Sequence, residues 1–390
     1  MERTRFESRP VVSSDMTAVT RKWRWIAGFL AVAILYWIPL SHLVSAVRLA
    51  LSVQSYAEGE TGSDLGVQES KISRHLDSRD YEALLYRPAK SKATGAVVVM
   101  PGISELGCYH PRLIAFSRFL ADRGLMVITP DVQEFRNFQI TAEPINQILF
   151  WHSQVRTLAG GESIKKVGLA GISFSGTLAL MAASKPEIRD SVAFVAAIGP
   201  YYSLHHCTGN WFSSEPEDSR GKNYPTKFYA RWIVMLSALN LVSETRDRSF
   251  LHDALIRLLL HGIASPASPG LTSEGLRWYK LATMRAGPSD QDLAREIEDY
   301  LVARIHPHLD PKEALDKVRC PVFLIHGAYD DLISPEESSE LHRRIPHSYL
   351  LVSPFLTHTH PNAVPLSFRK KAEAVMDTLI FCYRFSMAIR

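Results

Sequence analysis

The segment LAGISFSGT, residues 169–177, places two serines between two glycines and could hold a covalent nucleophile. A serine hydroxyl is a weak nucleophile at neutral pH and needs a base within hydrogen-bond reach, which a third group must orient. A nucleophile on a sharp strand-to-helix turn also needs small residues two positions before and two positions after it. Gly171 and Ser175 satisfy that rule around Ser173. Two alternatives remain open: Ser175 as the nucleophile, or a glycine-rich helix start without chemistry.

Two later segments carry groups that could complete such a site. HGAYDDLISP, residues 326–335, contains the adjacent carboxylates Asp330 and Asp331, and FLTHTHPN, residues 355–362, contains His358 and His360. Taken alone, the first segment is typical of a polar loop with an aspartate cap. The H-x-H spacing of the second could bind a metal, but no acidic or histidine cluster nearby completes a metal site, so no metal is predicted.

From about residue 70 to residue 390, the chain resembles the α/β-hydrolase superfamily in these motifs and their order. The resemblance implies a nucleophile, an acid and a histidine in that chain order, which gives Ser173, Asp330 and His358. Asp331 is the alternate acid and His360 the alternate base; His360 directly precedes a proline, which restricts its backbone. His326 ends the preceding strand and is interpreted as a structural residue.

The oxyanion of an acyl-transfer reaction needs two backbone N–H donors. One should be Phe174, which follows the predicted nucleophile. By resemblance to the family, the other belongs to the loop after the strand at 95–102 and is assigned to Ile103. Here the chain departs from the family, because Met100-Pro101-Gly102 stands where many members have His-Gly.

Short apolar runs alternate with segments of helical spacing along the main part of the chain. The predicted strands are 95–102, 125–132, 165–173, 191–200, 320–327 and 347–354, and the helices between and after them are 110–124, 145–161, 176–186 and 368–385. This alternation predicts an α/β fold with a mostly parallel sheet and helices on both faces. Ligands of such sheets bind at the carboxyl ends of the strands, which is where the motifs lie.

The predicted core comprises residues 70–204 and 319–390, and residues 205–318 between them form a predicted helical cap insertion. His205, His206 and Cys207 at its start could suggest a metal, but adjacent residues rarely converge on one ion. Aromatic residues are concentrated nearby and could either pack the insertion on the core or line an apolar substrate pocket. They are Trp211, Phe212, Tyr224, Phe228, Tyr229 and Trp232.

Residues 25–47 are almost entirely apolar and, as a helix, would be roughly 34 Å long, enough to cross a bilayer. They are predicted to be a transmembrane helix or signal anchor, between a basic arm at 1–24 and a polar tether at 48–69. Basic residues concentrated before the span place the amino terminus in the cytoplasm and the large domain across the membrane. The alternatives are a signal peptide cleaved near SYA, residues 55–57, which would give a secreted protein, or a buried core helix.

Charge and cysteine content exclude some classes of function. The net charge is +4, and the first 24 residues contain six basic and three acidic residues, so the remainder is nearly neutral and nucleic acid is not a predicted partner. The four cysteines form no C-x-x-C pair, which gives no support to a zinc ribbon or a redox motif.

These features predict a membrane-anchored serine hydrolase that cleaves carboxylic esters, with apolar or lipid-like substrates, through an acyl-enzyme and without a cofactor. Two alternatives remain. The same residues could act on amide, thioester or carbon–carbon bonds or transfer an acyl group, or the fold could be a non-catalytic, membrane-tethered binding protein.

Overall fold

The computed structural model describes residues 66–388, except 77, 161–163, 165–166, 213–226, 265, 268–269, 284–290 and 359–364. Its centre is an eight-stranded sheet with the strand order β1-β2-β4-β3-β5-β6-β7-β8. The strands are β1 (Val67–Leu76), β2 (Arg79–Pro88), β3 (Gly95–Met100), β4 (Leu125–Pro130), β5 (Val167–Ile172), β6 (Val192–Ile198), β7 (Val322–Gly327) and β8 (Ser348–Ser353). Strands β3 to β8 are parallel, whereas β1 and β2 form an antiparallel hairpin whose second strand pairs with β4.

Helices cover both faces of the sheet, as predicted. The α-helices of the core are α1 (Pro111–Asp122), α2 (Gln133–Arg136), α3 (Pro144–Leu158), α4 (Phe174–Ala183), α11 (Pro335–Arg344) and α12 (Phe368–Ala388). Successive side chains of a strand point to opposite faces, so in β3 Val97 and Val99 join the layer under α1 and α12, while Val98 and Met100 join the layer under α3 and α4. The predicted fold class, a mostly parallel sheet between helical layers, is confirmed.

The segment between β6 and β7 is helical in its described parts, as predicted. Its α-helices are α5 (Leu204–Phe212), α6 (Lys227–Ser237), α7 (Thr245–His261), α8 (Ser273–Ala282), α9 (Gln291–Arg304) and α10 (Lys312–Leu315). We call the segment 205–318 the insertion.

The insertion is fastened to the core beside the predicted acid motif. The buried carboxylate of Glu337, in the first turn of α11, accepts hydrogen bonds from the backbone N–H groups of Tyr202 and Ser203 at 2.8 and 2.7 Å. The indole N–H of Trp211 in α5 donates to the carbonyl of Leu332 at 2.7 Å. The first helix of the insertion is therefore fixed relative to the loop that carries Asp330.

The amino-terminal part of the chain differs from the prediction in one respect. Strand β1 starts at Val67, so it overlaps the last three residues of the segment 48–69 that was predicted to be a polar tether. Within the described residues, no helix combines the length and the hydropathy that a bilayer span requires. The predicted span at 25–47 lies outside the described residues.

Candidate active site

Ser173 occupies the turn between β5 and α4, with backbone angles φ 58° and ψ −128°. A residue with a side chain rarely adopts a positive φ, so Ser173 occupies a strained turn directly before a helix amino terminus. Close packing behind the turn explains the preceding glycine, because a Cβ on Gly171 would lie 2.2 Å from the carbonyl oxygen of Ser175. The structure therefore has a sharp strand-to-helix turn at Ser173, and we call this turn the elbow.

Ser175, the alternative nucleophile, faces away from the site. Its side chain is completely buried, and its hydroxyl donates a hydrogen bond to the carbonyl oxygen of Pro101, in the loop after β3. The hydroxyl of Ser173 instead lies 2.8 Å from Nε2 of His358. Of the two serines, only Ser173 is placed beside a base.

His358 reaches Ser173 from the loop after β8 and contacts the acid motif with its other ring nitrogen. Its Nδ1 lies 2.6 Å from Oδ2 of Asp330. This loop passes so close to β7 that a Cβ on Gly327 would lie 2.3 Å from the carbonyl oxygen of Thr357. The glycine of the His-Gly motif is thus required for the histidine loop to come within reach of the carboxylate.

The carboxylate of Asp330 is held by four donors. Oδ1 accepts hydrogen bonds from the backbone N–H groups of Leu332 and Ile333, both at 2.9 Å. Oδ2 accepts from His358 and lies 3.2 Å from Nε2 of His326. Burial by itself would raise the pKa of Asp330, but the imidazole of His358 and the hydrogen bonds from both histidines hold that pKa well below its ordinary value. The carboxylate is therefore ionised at neutral pH.

His326 was predicted to be structural, and the structure places it behind Asp330. The ring is buried, with Nδ1 2.6 Å from the Ser338 hydroxyl and Nε2 2.8 Å from the carbonyl oxygen of Ile333. With a proton on Nε2, His326 donates to the carbonyl oxygen of Ile333 and to the carboxylate of Asp330, while Nδ1 accepts a hydrogen bond from the Ser338 hydroxyl. The sequence analysis did not predict the contact between His326 and Asp330. Its only signal in the sequence is that the two residues are four positions apart.

The two alternate assignments have different outcomes. The side chain of Asp331 is exposed, and Asp330 is the residue that bonds His358. His360, the alternate base, lies outside the described residues.

The two backbone N–H groups predicted to bind an oxyanion border Ser173. Phe174 is the first residue of α4, so its N–H is among those that have no acceptor within the helix. The loop carrying Ile103 passes beside the elbow, because a Cβ on Gly102 would lie 3.9 Å from the Cβ of Ser173. The loop that carries Ile103 and the start of α4 thus both lie beside Ser173.

His205, His206 and Cys207, the three residues that could suggest a metal site, lie in α5. His205 faces Glu298 at 3.4 Å, and His206 faces Glu337 at 3.6 Å, while Cys207 is buried. In the described part of the chain, no group of three or more histidine, cysteine, aspartate or glutamate side chains could hold a metal ion.

The aromatic residues of the insertion mainly pack it together. Trp211, Phe228 and Trp232 are buried, and the indole N–H of Trp232 donates to the carbonyl of Ala282 at 2.9 Å. Tyr229 differs, since its hydroxyl donates to the carbonyl oxygen of Ile103 at 3.2 Å. Phe212 is partly buried, and Tyr224 lies outside the described residues.

Comparison with known proteins gives similarity at the level of structure alone. No protein-family model and no curated protein matches the sequence. Solved structures with a similar fold include 2,6-dihydroxy-pseudo-oxynicotine hydrolase, 14% identical with a TM-score of 0.46, covering 82% of this chain and 68% of that chain. Brefeldin A esterase, a bacterial homologue of human hormone sensitive lipase, is 16% identical with a TM-score of 0.45, covering 89% and 85%. Est1E from Butyrivibrio proteoclasticus is 14% identical with a TM-score of 0.43, covering 82% and 98%.

Proposed function

We propose that this chain, which has the α/β-hydrolase fold, is a serine hydrolase that cleaves carboxylic esters. The observation that carries the proposal is the continuous hydrogen-bonded series from Ser173 through His358 to Asp330, with distances of 2.8 and 2.6 Å. These residues are separated by up to 185 positions in the chain. Packing alone does not require a hydroxyl, an imidazole and an ionised carboxylate in this order, whereas nucleophilic catalysis does.

In the proposed reaction, the Ser173 hydroxyl attacks the ester carbonyl while Nε2 of His358 takes its proton. Asp330 keeps the Nδ1 proton of His358 in place, so that Nε2 is free to accept, and stabilises the imidazolium that forms. The N–H groups of Phe174 and Ile103 donate to the oxyanion. The imidazolium then protonates the departing alcohol, and the acyl group stays on Ser173. In the second half of the reaction, His358 takes a proton from a water molecule that attacks the acyl group. The imidazolium then returns that proton to the oxygen of Ser173 as the acyl–oxygen bond breaks and the acid leaves.

An apolar acyl group is favoured by the side chains around the loop after β3. Ile103 packs against the main hydrophobic core, and Tyr229 and Phe138 meet edge to face beside it, with ring centroids 6.2 Å apart. Each methylene that such a surface buries contributes about 0.8 kcal/mol, equivalent to up to about fourfold in kcat/KM. We therefore expect p-nitrophenyl esters to be cleaved faster as the acyl chain lengthens from acetate to hexanoate.

The decisive experiment is labelling by a fluorophosphonate probe together with hydrolysis of the ester series. We expect both in the wild-type protein and neither in Ser173→Ala. The matched control is Ser184→Ala at the carboxyl-terminal cap of the same helix, which removes a hydroxyl that bonds the local carbonyl of Met181. A folded wild-type protein without labelling or hydrolysis would instead be a binding protein. Labelling together with cleavage of anilides or thioesters, but not of esters, would redirect the proposal to those bonds.

We also infer that residues 25–47 anchor the chain in a membrane, with the hydrolase domain on the extracytoplasmic side. The support comes from the sequence: a long apolar run with basic residues concentrated before it. The full-length protein should stay in the membrane fraction after alkaline carbonate extraction, and its domain should be accessible to protease from the extracytoplasmic side. A mature protein whose mass lacks the first 57 or so residues would establish a cleaved signal instead.

A further inference from the structure

The loop after β3 is held by side chains from separate parts of the fold. Every second carbonyl, at positions 101, 103 and 105, accepts a hydrogen bond from a side chain. The pairs are Ser175 Oγ with Pro101, the Tyr229 hydroxyl with Ile103 at 3.2 Å, and Arg136 Nε with Glu105 at 3.2 Å. These donors lie on α4, α6 and α2, so the loop is fastened to the elbow helix, the insertion and the core at once.

Two of these bonds flank the peptide group that matters for the proposed reaction. The N–H of Ile103 belongs to the planar peptide group between Gly102 and Ile103. The peptide group before it carries the carbonyl bonded by Ser175, and the one after it carries the carbonyl bonded by Tyr229. With both neighbours held, the Cα atoms of Gly102 and Ile103 stay in place, so the central group keeps its position and can move only by rotating about the axis that joins these two atoms.

We propose that Ser175 and Tyr229 are positioning residues that together hold in place the peptide group whose N–H, at Ile103, binds the oxyanion. The proposal rests on the proposed function for its catalytic meaning, while the hold on the loop is a separate physical claim. We call the two hydrogen bonds the loop clamp. An N–H aimed before the reaction starts stabilises the developing charge without reorganisation, which is the main source of its effect.

Ser175 has the properties that this role requires. It stands at the position where the related elbow pattern has glycine, and the room there admits a small side chain. Its completely buried hydroxyl is satisfied by the Pro101 carbonyl. Since a buried hydroxyl without a partner would cost free energy, the serine and the loop conformation depend on each other.

Tyr229 brings the insertion into the same arrangement. Burial, together with the nearby carboxylate of Glu105, raises the pKa of the Tyr229 hydroxyl well above its ordinary value, so the group stays a donor at all working pH values. Its ring also meets Phe138 edge to face. The insertion thus contributes to the oxyanion site through Ile103, and displacing α6 would remove one side of the loop clamp.

The test uses the full-length protein in detergent and two variants that remove only a hydroxyl, Ser175→Ala and Tyr229→Phe. Ser184→Ala, at the carboxyl-terminal cap of α4, and Tyr300→Phe in α9 are matched controls, since the Ser184 hydroxyl bonds the carbonyl of Met181 and the Tyr300 hydroxyl bonds Asn240. Ser175→Gly provides a second variant if Ser175→Ala folds poorly. Three quantities are measured: amide hydrogen exchange in fragments covering 101–106, kcat and KM for a p-nitrophenyl ester, and affinity for a trifluoromethyl ketone, which forms a tetrahedral oxyanion adduct.

We expect faster exchange of the loop in both variants and unchanged exchange in both controls. Loss of an oxyanion donor costs about 10²–10³ in kcat, and misorientation of one should cost roughly tenfold. KM should stay within about twofold, and affinity for the ketone should fall by the same factor as kcat/KM.

Unchanged loop exchange in both variants would overturn the loop clamp, whatever the activity. Faster exchange with unchanged kcat, or a rise in KM alone, would overturn its role in the oxyanion site. If the wild-type protein neither hydrolyses esters nor labels at Ser173, the proposed function fails, and the exchange measurement still decides whether the loop clamp exists.

Discussion

The substitution Asp330→Asn tests the proposed reaction through the orientation of one amide. Oδ1 of Asp330 accepts two backbone N–H groups at 2.9 Å, and Oδ2 faces the ring nitrogens of His358 and His326. An asparagine oxygen must keep the Oδ1 position, because an NH2 group there would leave two buried N–H groups unpaired. That cost is about 1–3 kcal/mol for each group. The NH2 group of the asparagine therefore takes the Oδ2 position.

The reversed polarity at Oδ2 changes the tautomer of His358. Facing an NH2 group, Nδ1 must accept a hydrogen bond, so the proton of the neutral ring moves to Nε2. Nε2 then donates to the Ser173 hydroxyl and cannot take its proton. His326 loses less, since its Nε2 proton still bonds the carbonyl of Ile333 at 2.8 Å. We expect kcat to fall on the order of 10⁴-fold, about 5.4 kcal/mol in activation free energy.

The assay is hydrolysis of p-nitrophenyl butyrate at neutral pH, with circular dichroism to establish that each variant is folded. Asp331→Asn is the matched control, because it makes the same change on the neighbouring, exposed residue. KM should change little in Asp330→Asn. The reasoning is refuted if folded Asp330→Asn keeps more than about a tenth of wild-type kcat, or if Asp331→Asn loses as much.

Three further outcomes are expected. Gly171→Ala should lower the free energy of unfolding, measured by urea titration, by at least about 2 kcal/mol, because the new Cβ would lie 2.2 Å from a backbone oxygen. The control is Gly209→Ala in a helix, where the nearest atom to the new Cβ is 3.5 Å away. This change should be neutral or should raise the free energy of unfolding by up to about 1 kcal/mol. Glu337→Ala should lower the free energy of unfolding by about 2–5 kcal/mol, because two buried backbone N–H groups lose their acceptor. Glu336→Ala, the control, should change the free energy of unfolding little. Because the pKa of Asp330 is lowered in the folded state, its charge stabilises the native state fully above about pH 4 and progressively less as the pH falls. The difference in unfolding free energy between wild type and Asp330→Asn should therefore become smaller on acidification. A difference that becomes larger would contradict a lowered pKa.

Strands β3 to β7 could be predicted because each is almost entirely buried and reads as a short apolar run. The edge strand β8 is only partly buried, but its central residues, YLLV, are still apolar. The β1–β2 hairpin could not be predicted, since β1 is an edge strand whose side chains are mostly exposed. Its sequence, VQESKISRHL, has the composition of a polar linker, and only pairing with β2 makes it a strand.

The predicted order of serine, acid and histidine agrees with the contacts among Ser173, Asp330 and His358, because each motif lies at the carboxyl end of a strand. The links that join separate elements had no local signal. Tyr229 follows its partner Ile103 by 126 residues, and neither residue type implies the other. The contact of His326 with Asp330 had only the four-residue spacing as a signal, because it also depends on the path of the loop between them.

The insertion between β6 and β7 lengthens the interval between the synthesis of Ser173 and the synthesis of His358. The hydroxyl of Ser173 leaves the ribosome 185 residues ahead of the imidazole of His358, which is the base of the proposed reaction. At about 5–20 residues per second, this delay is roughly 10–40 s. If the proposed reaction is correct, the growing polypeptide cannot cleave esters during that interval, and a chain that terminates within the insertion is inactive.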